Sequence, residues 1–79
     1  MSEPINMDKA VMKYIIGSVM EYAYESVERE KSDPCEFNEG RKLAFYEVLD
    51  TIYNRLHICD QDPKDFGYPD DWEKPFFAK

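Results

Sequence analysis

A chain of 79 residues, 43% hydrophobic and 34% charged with a formal net charge of -7, has room for one domain and one core. A domain this short buries only about 60% of its unfolded surface, so it needs a further source of stability such as a disulfide, a metal or a second chain. Five Phe, six Tyr and one Trp rule out an acidic disordered segment. No apolar run approaches the ~20 residues of a membrane span. The longest, around Tyr14 to Met20, is broken by Gly17 and Ser18.

The first eight residues carry Glu3 and Asp8 without Lys or Arg, so no secretory leader is expected and the chain reads as cytoplasmic. Asp8 caps a first helix over 8–31, whose apolar residues fall at Val11, Met12, Ile15, Ile16, Val19, Met20, Tyr22, Ala23 and Val27. These cover an arc of about 180°, wider than the ~100° stripe that a surface helix buries. The helix runs out at Ser32-Asp33-Pro34, because a proline pushes the preceding residue out of the helical region.

Asp33, Pro34 and Glu36 form a start signal with N-cap, proline at the first position and acid at the third, and predict a second helix over 34–59. Its apolar face reads Phe37, Ala44, Phe45, Val48, Leu49, Ile52, Tyr53, Leu56 and Cys59, again about 180° of arc. Gly40 costs about 1 kcal/mol in a helix and marks either a close helix contact or a later start. The short connection makes the two helices an antiparallel hairpin. In the tail over 60–79, Asp62 and Pro63 start one short turn that Gly67 ends, and Phe66, Tyr68 and Trp72 are expected to fold back on the hairpin. The expected fold is all-α: one helical domain over 1–79, an antiparallel two-helix hairpin with an aromatic C-terminal tail packed on it, dimerising into a four-helix bundle.

Residues with chemical potential are few. Cys35 and Cys59 lie at opposite ends of the second helix, roughly 36 Å apart, too far for a disulfide, and read as small buried or half-buried apolar residues in a reducing compartment. His57 is two positions from Cys59, so the side chains point to different faces and make no nucleophile–base pair. Asp60-Gln61-Asp62 opens like a calcium loop, but Lys64 and Asp65 occupy positions needing an oxygen ligand and a glycine. No catalytic residue, cofactor or metal site is expected, and the chain reads as non-enzymatic.

Charge is uneven. Residues 21–39 hold seven acids against Arg29 and Lys31, and residues 60–73 hold six acids against Lys64. Without a Lys/Arg cluster to neutralise phosphates, direct nucleic-acid binding is not expected. Arg41 and Lys42 return beside the end of the first helix, where Glu25 and Glu28 offer ion pairs. Tyr14, Tyr24, Leu43, Tyr46 and Ile58 project away from the hairpin seam. Grouped exposed aromatics mark interfaces.

With two over-wide apolar arcs, this pattern implies a homodimer. The expected function is a small protein-interaction or regulatory protein acting as a helical homodimer on an unidentified protein partner, with Tyr14, Tyr24, Leu43 and Tyr46 as contacts. The alternative is an acidic decoy or inhibitor, a nucleic-acid mimic or immunity-type protein of a mobile element, whose Glu21, Glu25 and Glu28 block a basic site.

Overall fold

The computed structural model describes residues 8–77, so the reading of residues 1–7 as free of a secretory leader lies outside the described residues, as do the last two residues of the tail. Helix α1 spans Lys9–Ser32, and Asp8 caps it by accepting the Ala10 amide at 3.0 Å. Helix α2 spans Glu36–Ile58, two residues later than its start signal implies. Asp33 instead closes α1, its amide donating to the Arg29 carbonyl at 2.9 Å. The Asp33 carbonyl accepts the Asn38 side-chain amide at 2.8 Å, so Asn38 ties the start of α2 to the turn, and Cys35 caps α2 with no side-chain bond. Asp33-Pro34-Cys35 is used up in the chain reversal between the two helices.

Helix α2 ends in a Schellman arrangement: Gln61 donates to the Leu56 carbonyl and Asp60 to that of His57, with Asp60 left-handed at φ 59. This turn sends the tail back along the hairpin. Asp62 caps a 3₁₀ turn over Pro63–Phe66, accepting the Lys64 amide at 3.0 Å, and Gly67 ends it at φ 100, as the sequence reading has it. A last helical turn, α3, spans Lys74–Phe77. There is no strand among the described residues.

Ile16, Met20, Ala23 and Val27 of α1, Leu49 and Leu56 of α2, and Phe66, Tyr68, Trp72 and Phe76 of the tail form the core. Phe66, Tyr68 and Trp72 do fold back, and Phe76 joins them. Trp72, 2% exposed, stacks on Tyr46 at 5.6 Å, leans on Tyr53 at 5.6 Å and meets Tyr68 edge-on at 5.3 Å. The expected helix faces were too wide: Val11, Ile15 and Tyr22 of α1, and Phe37, Ala44, Val48 and Cys59 of the expected α2 face, are exposed, Phe37 to 76%. Each helix meets the other along a seam, the tail covers one flank, and these residues stand on the flank that remains. Cys35 and Cys59 are both free and exposed rather than buried.

Two outcomes test this packing. Trp72→Ala removes a buried indole from between three rings and should cost about 3–5 kcal/mol in urea denaturation. Gly40 is exposed within α2, and a Cβ there meets nothing within 4 Å, so it marks no close helix contact. Gly40→Ala should therefore stabilise by up to about 1 kcal/mol, raising the melting temperature by about 4–8 °C.

Candidate interaction surface

The hairpin has two sides, and helical spacing sorts its residues between them. Tyr24 and Tyr46 lie under the tail: the Tyr24 hydroxyl donates to the Trp72 carbonyl at 3.0 Å, and Tyr46 packs on Trp72, Phe76 and Phe77. Tyr22 and Val48 each sit two positions away, about 200° round the helix at 3.6 residues per turn, and so face the opposite side. Along α1 that side carries Val11, Ile15, Ser18 and Tyr22, and along α2 Arg41, Phe45, Val48 and Ile52, each set advancing by steps of four, three and four residues. This is the spacing of a helix-packing seam. Val11 is 47% exposed, Ile15 45%, Tyr22 58% and Val48 45%, while Phe45 and Ile52 are half buried against the core.

The sequence-derived contacts therefore do not form one surface. Tyr14, 77% exposed, stands at the edge of the uncovered side, one turn from Val11 and Ser18, and its carbonyl accepts the Ser18 hydroxyl at 3.0 Å. Leu43 is exposed near the hairpin turn, on the lip of a cleft of about 530 Å³ shared with Pro34, Tyr46, Phe76 and Phe77. Glu21 is exposed, and Glu25 and Glu28 pair within α1 with Arg29 at 3.3 Å and Lys31 at 3.6 Å. Lys42 meets Glu30, not Glu25 or Glu28, at 3.0 Å with both side chains largely covered, and Arg41 lies over the Phe45 ring at 5.5 Å. The turn sets this register, bringing Lys42 level with the last turn of α1.

In the sequence Val11, Ile15 and Tyr22 belong to an apolar arc too wide for one partner helix, and Val48 to the core face of the second helix. The signal that separates them is a second seam in the four-three-four pattern, out of phase with Ile16, Met20, Ala23 and Val27. On the tail side the acids gather. Asp71 lies near Tyr24, and Asp50 and Glu73 near Tyr46, each adding to burial in pushing the phenol above its ordinary value of 10.0.

His57 is exposed, its ring edge-on to Tyr53 at 4.8 Å, at the mouth of a polar hollow of about 270 Å³ with Asp62, Lys64 and Asp70. The Lys64 ammonium is held by Asp70 at 2.8 Å. Among the described residues there is no group of three or more His, Cys, Asp or Glu able to hold a metal ion, and no helix long and apolar enough to cross a membrane.

The tyrosines give the fold an alkaline limit. Tyr68 donates to the Leu49 carbonyl at 2.7 Å, and burial first, then Tyr24 and Asp50, hold its phenol far above 10.0. Phenols raised in the folded state ionise more readily in the unfolded chain. Their contribution is complete below pH 10 and is lost as pH rises from there toward the folded values. The melting temperature should fall progressively as pH rises above about 10 in thermal scans, and less so in Tyr68→Phe.

Comparison with protein-family models, with curated proteins and with solved structures finds no match to this chain.

Proposed function

We propose that the protein is a small non-enzymatic protein-interaction protein of the cytoplasm whose working surface is the side of the hairpin opposite its tail. The carrying observation is the seam-spaced apolar row of Val11, Ile15, Tyr22 and Val48, all exposed, beside the half-buried Phe45 and Ile52. Burying such a row contributes about 25 cal/mol per Å², and helix bundles bury rows of this spacing on a neighbouring helix. Tyr24 and Tyr46, engaged by the tail, support that surface from behind instead of forming it. The free, exposed thiols of Cys35 and Cys59 suit a reducing compartment.

A second reading, the acidic decoy, draws on one observation: the tail's Asp71 and Glu73 come to the same side as Asp50. Glu25 and Glu28 count against it, since Arg29 and Lys31 already neutralise them. The tail side carries acids on a solvated surface, which also serves solubility.

Salt separates the readings, because charge-held complexes weaken as the Debye length shrinks from ~10 Å at 0.1 M to ~3 Å at 1 M. In extracts of the source cells, the tagged chain should migrate in an assembly that persists in 0.5 M salt and in the triple variant Glu21→Gln, Glu25→Gln, Glu28→Gln. Val48→Asp should dissolve it. An assembly lost in salt and indifferent to Val48→Asp would establish the decoy instead.

A further inference from the structure

Resting on that interaction reading, we infer that the occupant of the uncovered side is a second copy of this chain, turned end over end so that α1 lies antiparallel on α1. The row on α1 continues beyond its apolar part. Asp8, Val11, Ile15, Ser18, Tyr22, Glu25 and Arg29 follow one another by alternating steps of three and four residues. They form one stripe that rises about 32 Å.

Read in opposite directions on two facing copies, the stripe complements itself. Asp8 at one end meets the other copy's Arg29, Ile15 meets Tyr22, and Ser18, the small residue, meets its own counterpart at the two-fold axis; the one mismatched step sets Val11 against Glu25, whose carboxylate Arg29 of its own helix holds at 3.3 Å. A closed two-fold contact requires this reciprocity, in which residue i touches j and j touches i. Asp8 and Arg29 are both exposed, and their existing bonds, to the Ala10 amide and to Glu25 at 3.3 Å, leave them on the surface.

Size and charge agree with this occupant. Two helices side by side over that length present about 500 Å² per copy, and about 1,000 Å² in the pair is near the lower bound of a specific interface. A chain of net charge -7 repels its own copies, and most strongly on the tail side, where Asp50, Asp71 and Glu73 gather. Face-to-face pairing turns those sides away from each other. Ile52 and the last turns of the two α2 helices, level with Ser18 in the register set by Lys42 and Glu30, then meet beside the α1 pair, as in a bundle in which each helix needs one seam for each of two neighbours.

The test uses the purified full chain. Light scattering and sedimentation at about 50 μM, well above a micromolar dissociation constant, should give twice the chain mass of 9.4 kDa. The double variant Ile15→Asp, Tyr22→Asp should give the single mass with unchanged helical circular dichroism, a loss of about 100-fold or more in affinity. Because repulsion is screened, the dimer should tighten severalfold as salt rises.

In a background of Cys35→Ser and Cys59→Ser, Ser18→Cys should cross-link to a covalent dimer on oxidation and Glu28→Cys should not. A monomeric wild type overturns the inference, as does a dimer that tolerates both Asp substitutions or fails to cross-link through position 18. A monomer whose assembly in cell extracts is still dissolved by Val48→Asp would remove the second copy while leaving the interaction reading intact.

Discussion

Trp72 is the contact through which three segments become one fold. A two-helix hairpin can bury only the line where its helices touch, and here that line is supplied by small and medium side chains, Ala23, Val27, Ile16, Met20, Leu49 and Leu56. The volume comes from the tail. Trp72, set between Tyr46, Tyr53 and Tyr68, links α2 to the returning chain, and the Trp72 backbone carbonyl takes the Tyr24 hydroxyl of α1. The features that look local, the Schellman turn at Asp60, the cap at Asp62 and the left-handed Gly67, all aim this one ring.

Covering one flank of a hairpin defines the other. Because the tail occupies the side bearing Tyr24 and Tyr46, the apolar excess of both helices is left on the side bearing Tyr22 and Val48. Asp71 of the tail lies near Tyr24, and Glu73 of the tail and Asp50 of α2 lie near Tyr46, so tail and hairpin acids come together on the covered side. A surface charge of this sign favours solubility, and under the proposed reading it leaves association to the less charged opposite side. The two properties come from the same placement of the tail.

Much of this was legible in the sequence where the signal is local. Asp8, the Asp62-Pro63 pair and Gly67 act through their own backbone neighbourhoods, and each does what its residue type dictates. The aromatic tail was legible through size alone, since rings as large as Trp72 and Phe66 are costly to leave in water. What failed depends on distant partners. Asp33 had a start signal for α2 and a stop role for α1, and the chain reversal decided between them. Tyr24 and Tyr46 sat off the helix–helix seam and so looked free, when the tail was their partner. Val11, Ile15, Tyr22 and Val48 were apolar at helical spacing, and periodicity alone does not say which of two seams is filled.

The tail and the hairpin are tied by a reciprocal pair of bonds: Tyr24 of α1 donates to the tail's backbone at Trp72, and Tyr68 of the tail donates to the backbone of α2 at Leu49. Neither segment can let go of the other without stranding a buried carbonyl or hydroxyl on each side. Local opening, which in most small domains begins at a loosely held terminal segment, is therefore coupled to the middle of both helices. The amides around Trp72 and those in the central turns of α1 and α2 belong to a single cooperative unit. They should exchange with solvent together, near the rate of global unfolding, and not through a bare hairpin.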